Sequence, residues 1–259
     1  MRHLIGLLLL SALAAFAGGA EDQKIYQDFL GWYKTVYKGS FMPPEVMNGY
    51  RESQKSAGVA AEEIERRLGV IRQRVAGMPA DFAAVHFDRI YSMNPPPFRT
   101  EASRYLVRVL EGRKPGKALD VAMGQGRNAL YLASQGWDVT GYDISAEGMA
   151  RAKAVAVKAG LRLEIVNASH DEFEYGTAKW DLIVETFAFT NLADPAYRKR
   201  VLDSLKPGGL LVIEGFGGPK NVLLDGFRDL RIVEYEDCHE TADWGLQQAH
   251  LQRMAAAKD

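Results

Sequence analysis

The stretch Leu119-Asp-Val-Ala-Met-Gly-Gln-Gly-Arg-Asn-Ala129 constrains this chain most. An apolar run ends in an acid and a glycine-rich turn, and a helical pattern follows at once. Gly124 and Gly126 have no side chain, so the turn can bring bare backbone against a ligand. Beyond it, Trp137-Asp-Val-Thr-Gly-Tyr-Asp143 reads as a second strand that also ends in a carboxylate. A spacing of roughly 20 residues from glycine loop to acid suits a nucleoside, whose ribose hydroxyls the second acid accepts. Gly124-Gln-Gly126-Arg-Asn-Ala129 equally fits the G-x-G-x-x-G/A turn of a dinucleotide fold. A glycine turn with no ligand is the third reading of the same residues.

Later segments narrow the choice. Trp180-Asp-Leu-Ile-Val-Glu185 has the form of a fourth strand. Leu205-Lys-Pro-Gly-Gly-Leu-Leu-Val-Ile-Glu214 has the form of a helix end, a tight turn and a fifth strand. The order of acid, glycine loop, second acid, W-D-L-I-V and K-P-G-G resembles the class I S-adenosylmethionine-dependent methyltransferases. Within them, the run Gly124 to Ala133 resembles the tellurite-resistance and thiol methyltransferase-like branch. The resemblance covers about Lys117 to Ile213.

From Lys117 onward, strands and helices alternate. The strands are expected at Ala118–Ala122, Asp138–Asp143, Arg162–Asn167, Asp181–Thr186 and Leu210–Gly215. Helices are expected at Asn128–Gln135, Ala146–Ala159 and Pro195–Leu205. Short apolar strands separated by helices imply a buried parallel sheet with right-handed crossovers. Leu230–Glu236 and Gln248–Met254 are the last two strand candidates, and Ala255-Ala-Ala257 fits a helix as well. The resemblance implies an α/β, Rossmann-like sheet of order 3-2-1-4-5-7-6, here behind an N-terminal helical cap.

Ligands in such sheets bind beyond the carboxyl ends of the strands, where the singled-out residues fall. The resemblance implies that Asp120 helps hold the methionine portion of S-adenosylmethionine. Gly124 and Gly126 form the loop under it, and Ala122 stands where the family has its first glycine. Asp143 takes the ribose, Ile144 lies against the adenine, and the Ala168 backbone with Ser169 reads the adenine amino group. Glu185, at the tip of the fourth strand, completes the cofactor-binding set. Asn128 is expected to cap the following helix, and Ala122 is read as a tolerated substitution. Ser145 offers a cap for the helix after Asp143.

The loop after Glu185 carries Phe187 and Phe189, an apolar wall or plain core. Methyl transfer from a sulfonium needs donor and acceptor held in line, and a base only where the acceptor keeps its proton. No catalytic residue is legible. Tyr91, Arg99 and Glu214 are acceptor-contact candidates, and His170 is expected to be exposed. Two other functions stand beside methyl transfer to a small-molecule acceptor. One is a nicotinamide dinucleotide-dependent oxidoreductase; the other is a catalytically idle, exported S-adenosylmethionine-binding module.

The flanks and the composition add limits. With 259 residues there is room for one α/β domain and a helical extension. A formal charge of -1 gives no basic field for nucleic acid. The single cysteine, Cys238, excludes an intrachain disulfide. Arg2 and His3 precede an apolar run from Leu4 to Phe16, with Ala15-Phe-Ala17 and Ala20 as cleavage positions. That is the layout of a signal peptide over 1–20, too short to span a bilayer stably. It predicts export, or a cytoplasmic protein if the start is mis-assigned. Residues 21–100 read as the helical cap, with helices at Glu21–Tyr37, Glu45–Ser56 and Ala60–Val75. Met93-Asn-Pro-Pro-Pro97 cannot continue a helix and reads as a stiff connector. It leads to a helix from Thr100 to Leu110 and to the methyltransferase-like part, 101–259. Tyr91 to Arg99 is expected to line the site as part of a lid.

Overall fold

The computed structural model describes residues 19–39, 43–242 and 248–259. The apolar run from Leu4 to Phe16, and with it the expected signal peptide, lies outside the described residues. The chain divides into two compact units, 1–86 and 87–259. The Met93–Pro97 connector therefore belongs to the second unit, and the boundary lies before it, not at residue 100.

The first unit contains α1 (Ala20–Thr35), α2 (Pro43–Ser56), α3 (Ala61–Val75) and the start of α4 (Ala80–Tyr91). Apolar residues three and four apart give each helix one buried stripe. Phe29, Tyr33, Tyr50, Leu68, Ile71 and Phe82 meet in a core rich in rings. Phe29 and Tyr33 stack with centroids 5.9 Å apart, and Tyr50 meets Phe29 edge-on at 5.4 Å. Tyr33 Oη lies 2.9 Å from His86 Nδ1 inside this core. Helix α4 is absent from the sequence reading above. Its signal is Phe82, Ala83, His86, Ile90 and Tyr91, all buried and at helical spacing.

The second unit is built on β1 (Lys117–Val121), β2 (Asp138–Asp143), β3 (Glu164–Asn167), β4 (Trp180–Thr186), β5 (Leu205–Phe216), β6 (Arg231–Thr241) and β7 (Gln248–Ala257). The strand order is 3-2-1-4-5-7-6, as expected. Strands β1 to β5 pair in parallel, and β7 runs antiparallel to both β5 and β6. Ala255, Ala256 and Ala257 extend β7 rather than a helix, paired with Val212, Leu211 and Leu210. All three alanines are buried, and their small side chains leave room for α5 and α8 on the two faces of a strand that lies between β5 and β6.

Side chains alternate between the two faces of a strand. Ala118, Leu182, Val184, Leu210 and Val212 enter one core, with residues of α5 (Arg104–Val109), α6 (Arg127–Ser134) and α7 (Ala146–Ala159). Leu119, Val121, Ile183, Leu211 and Ile213 enter the other, with α8 (Pro195–Ser204) and α9 (Val222–Gly226). The same alternation decides where the strand-tip acids point. Asp120 is in phase with Ala118 and faces α6; Glu185 is in phase with Ile183 and faces α8.

Three local signals fix the helix ends. Ser103 Oγ accepts from Leu106 N–H at 3.1 Å, which starts α5 four residues later than expected. Ser145 Oγ accepts from Gly148 N–H at 3.1 Å and caps α7, and Gly160 ends α7 in the left-handed conformation. Asp194 caps α8, with Pro195 in its first turn. Among the described residues, no helix is long and apolar enough to cross a membrane.

Candidate active site

The tips of β1 and β2 are locked together by backbone. Met123 N–H donates to the Tyr142 carbonyl at 2.9 Å. Gly124 N–H donates to Asp143 Oδ2 at 2.7 Å, and Ser145 N–H donates to Asp143 Oδ1 at 2.7 Å. Asp120 Oδ2 accepts from Ala129 N–H at 2.9 Å and so steadies the first turn of α6. Gly124 has φ +53 and Gly126 φ +79, conformations open to glycine at no steric cost. Ala122 also adopts a positive φ, +52. The position does require the left-handed conformation, so its alanine is strained, contrary to the tolerated substitution expected above.

Three carboxyls are buried near the ends of adjacent strands, Asp120 toward α6, Asp143 at the tip of β2 and Glu185 toward α8. Burial pushes Asp120 up to about 7 and Asp143 up to about 6, the second restrained by its backbone N–H donors. Burial also pushes Glu185 up to about 7. Arg127 is the cation that acts on Asp120, from the first turn of α6. Asp143 also raises Asp120, so the tips of β1 and β2 favour a cationic ligand.

A strap from Phe87 to Glu101 crosses this rim. Asp88 Oδ1 accepts from Ser145 Oγ at 2.8 Å and from Glu147 N–H at 3.1 Å, which pins the end of α4 to the start of α7. Arg151 Nη2 donates to the Met93 carbonyl at 2.8 Å. Gln125 Nε2 donates to the carbonyls of Phe98 at 3.2 Å and Arg99 at 2.9 Å, and Arg127 Nη1 donates to that of Glu101 at 3.3 Å. Tyr91 is buried, and its ring lies over Gly124 and Gly148. A Cβ on Gly124 would overlap the Tyr91 hydroxyl, and one on Gly148 would sit 2.9 Å from its Cδ2. Burial, then Asp143, holds the Tyr91 phenol well above its ordinary range, so it stays neutral.

The loop after β4 closes the other side. Phe187 and Phe189 both have left-handed backbone, φ +53 and +54. Such strain in bulky residues collects at functional loops. Phe187 is buried, packed edge-on against Phe216 at 5.1 Å and beside Ala242 and Leu251. Phe189 is 59% exposed, with the Phe87 ring 6.2 Å away. Glu185 Oε1 accepts from Tyr197 Oη at 2.7 Å, and Oε2 accepts from Thr190 Oγ1 at 2.9 Å.

Residues 118–209 match the family model described as a methyltransferase domain. The matched residues lie in the second unit and run from β1 into β5 of its sheet. The chain is 28% identical over 144 residues to a probable S-adenosyl-L-methionine-dependent methyltransferase TehB of Haemophilus influenzae, covering 48% of this chain and 49% of that protein. It is 29% identical over 141 residues to the ribosomal RNA small subunit methyltransferase C of Alcanivorax borkumensis, covering 51% and 42%. The crystal structure of TehB from Haemophilus influenzae superposes with a TM-score of 0.54 at 22% identity, over 61% of this chain and 63% of that one. The chain thus spans about half the length of the curated relatives it matches.

The methyltransferase domain brings Asp120, Ala122, Gly124, Asp143 and Ile144 to one rim, and gives other residues different work. Gly126 is needed for packing: a Cβ there would lie 2.8 Å from that of Ala152 on α7. Asn128 does not cap α6, which starts at Gly126. Its side chain instead accepts from Ser103 N–H at 2.9 Å and donates to Thr186 Oγ1 at 2.6 Å. Ala168 N–H donates to the Asp143 carbonyl at 3.1 Å, and the Ser169 N–H and hydroxyl both donate to Glu172. An adenine reading that turn must exchange with Glu172.

Glu214 is buried between Ser103 and Arg253, bonded to both at 2.6 and 2.8 Å, and belongs to the sheet's internal support rather than an acceptor surface. His170 is half-buried and hydrogen-bonded, not exposed. Arg99 pairs with Glu101 at the surface. Among the described residues, no group of His, Cys, Asp and Glu is placed to hold a metal; His239 stacks on His250 instead.

Proposed function

We propose that the domain transfers a methyl group from S-adenosylmethionine to a small-molecule acceptor. The observation that carries this reading is the acidic rim at the tips of β1 and β2: two buried carboxyls, of Asp120 and Asp143, beside the Ala122–Gly124 turn. A sulfonium brings one positive charge to such a rim. A dinucleotide would bring a pyrophosphate to the same place, against like charge. The residues fit the cofactor in two further ways. Each oxygen of Asp143 accepts one backbone N–H and keeps a lone pair for a ribose hydroxyl. Gly124 carries no side chain beneath Tyr91, so a ligand that displaces the ring meets bare backbone.

The bound cofactor supplies an electrophilic methyl on a good leaving group. The protein's part is to hold, align and exclude water. Asp143 holds the ribose, and the Ala122–Gly124 backbone and Asp120 line the methionine portion. Tyr91 and the strap to Arg99 keep solvent from the sulfonium. The loop from Phe187 to Asn191 presents the acceptor, with Phe189 as its exposed ring.

Calorimetric titration of the full chain with S-adenosylhomocysteine and with NAD tests the reading. Binding of the first without the second is the expected result; NAD binding alone overturns it. Release of S-adenosylhomocysteine with thiol, selenide, tellurite, phenol, amine and carboxylate acceptors separates an enzyme from an idle module. We also propose export, on the apolar run from Leu4 to Phe16 alone. An unprocessed N-terminus in the cytoplasmic fraction overturns that part.

A further inference from the structure

The amino ends of β1, β2 and β4, opposite the rim of acids, border a cavity of about 520 Å³. Small-molecule pockets span roughly 300–1,000 Å³, with mostly apolar walls and a few placed polar groups. The turns after α5, before β2 and within β5 converge here and supply Arg113 to Gly116, Trp137 and Gly208. Gly208 has φ +77, and a Cβ on it would meet no atom within 4 Å, so that side of the turn is open.

The apolar part of the lining is Leu110, Trp137 and Leu210, all buried. Trp137 is only 9% exposed, yet its indole N–H donates to no protein acceptor among the described residues. Trp180 shows the usual outcome for a buried indole: its N–H donates to the Tyr175 carbonyl at 2.8 Å. The Trp137 nitrogen is not among the dry, unpaired atoms of the interior either, so it opens onto the cavity.

The charges of the lining do not cancel. Asp181 is its acid, and Asp181 Oδ2 already accepts from Lys206 Nζ at 2.7 Å and from Lys117 N–H at 2.8 Å. The Lys117 ammonium pairs with Asp138 at 3.7 Å. Arg113 and Lys114 are exposed, and neither meets a carboxylate among the described residues. Arg113 Nε donates to the Val109 carbonyl at 3.2 Å, which leaves the two terminal nitrogens of the guanidinium unused. The groups left unanswered are a guanidinium, an ammonium and an indole N–H. All three only donate, so the group they suit is one that only accepts and carries negative charge.

We propose that this cavity binds a small organic anion with an apolar ring, of the class of aromatic carboxylates. Leu110, Trp137 and Leu210 take the ring, and the carboxylate accepts from Arg113, Lys114 and the Trp137 indole. Arg113 brings a planar fork that matches two carboxylate oxygens, and Lys114 brings a point charge. Inorganic phosphate would satisfy the cations and leave the apolar lining wet. An uncharged ring would cover that lining and leave the donors unpaired. The site lies at the opposite end of the strands from Asp120 and Asp143, and it stands whether or not the domain transfers methyl groups.

The test follows 15N–1H spectra of the full chain during titration with benzoate, with benzyl alcohol, benzylamine and inorganic phosphate as comparisons. Benzoate should shift the Trp137 indole N–H and the Gly116 and Gly208 amides along one saturable curve. Trp137→Phe identifies the indole signal by its loss. Arg113→Ala should weaken benzoate roughly ten-fold, the value of one charge-assisted hydrogen bond. Arg113→Ala with Lys114→Ala should abolish the shifts. Both side chains are exposed, so these variants should keep the β2 amide resonances in place. The three comparison compounds should each bind at least ten-fold more weakly than benzoate. A Trp137 indole that ignores benzoate, equal binding of benzylamine or phosphate, or full affinity in the double variant overturns the site. Shifts confined to the Gly124 loop would place benzoate at the cofactor rim and overturn it as well.

Discussion

Gly124 N–H donates to Asp143 Oδ2 at 2.7 Å, which ties the glycine loop of one strand to the acid at the tip of the next. A single carboxylate thereby shapes the loop and, in the function proposed above, takes the ribose. Asp143→Ala removes both tasks. Hydrogen bonds to a charged group are worth roughly 1.5–3 kcal/mol each, so affinity for S-adenosylhomocysteine should fall on the order of a hundred-fold. Asp143→Asn keeps one acceptor oxygen for Gly124 and should fall less. A folded Asp143→Ala protein that titrates like the wild type in calorimetry removes Asp143 from the cofactor site.

Ala122 offers a test of backbone strain. A left-handed alanine costs about 1–2 kcal/mol, and glycine gives back about 0.5–1 kcal/mol through its freer unfolded chain. Ala122→Gly should therefore raise unfolding stability by about 0.5–1 kcal/mol, seen as a higher urea midpoint at unchanged slope. A lower midpoint would mean that the alanine methyl contributes more by packing than its backbone costs.

The same residue marks how far the sequence could be read. The glycine pattern identified position 122 as a place where glycine is usual, yet only the dihedral shows that the turn demands it. Strand β2, Asp138–Asp143, was legible to the residue because turn chemistry bounds it and apolar residues fill it. Helix α4 was not, because its apolar stripe is short and stops just before the helix-breaking Pro95-Pro-Pro97. The meeting of the Tyr142, Tyr175 and Tyr197 hydroxyls was illegible for a different reason. Tyr142 and Tyr175 lie 33 residues apart and Tyr175 and Tyr197 22 apart, and periodicity marks each as core without saying that their hydroxyls meet. Gly126 and Asn128 kept their pattern positions but serve α6, α7 and Ser103, because a loop motif does not state which face each residue presents.

The strand-tip acids predict a pH dependence of stability. Asp120, Asp143 and Glu185 rise from ordinary carboxyl values near 4 to about 7, 6 and 7. Between about pH 4 and 7 the folded protein holds protons that the unfolded chain has released, so stability must fall as pH rises through this window. The total is on the order of 10 kcal/mol at most. Unfolding temperatures of the ligand-free protein should therefore drop from pH 5 to pH 8, and Glu185→Gln should flatten the drop. S-adenosylmethionine, with its positive sulfur, should restore more at pH 8 than S-adenosylhomocysteine does. A flat profile from pH 5 to 8 in the wild type would show that these acids are already neutralised.

Tyr91 and the strap that carries it give the last prediction. The strap from Phe87 to Glu101 is held to the rim by Asp88, Gln125, Arg127 and Arg151, and four of those six bonds end on backbone carbonyls of the strap. Bonds of this kind can open and re-form without unfolding the sheet beneath. The Tyr91 hydroxyl occupies the space over Gly124 that a Cβ would need. A ligand on the glycine loop must either pack against this ring or displace it, and in both cases the strap responds. Hydrogen exchange with S-adenosylhomocysteine should show added protection at Ile90–Arg99 together with the Gly124 loop. Gln125→Ala releases two of the carbonyl bonds, and exchange at Phe98–Thr100 should quicken several-fold in the free protein while the β2 amides keep their rates. Gly124→Val should abolish binding, and circular dichroism must first show that the variant folds. Protection confined to the Gly124 loop, with the strap unchanged, would make Phe87–Glu101 a fixed part of the wall and end its role as a gate.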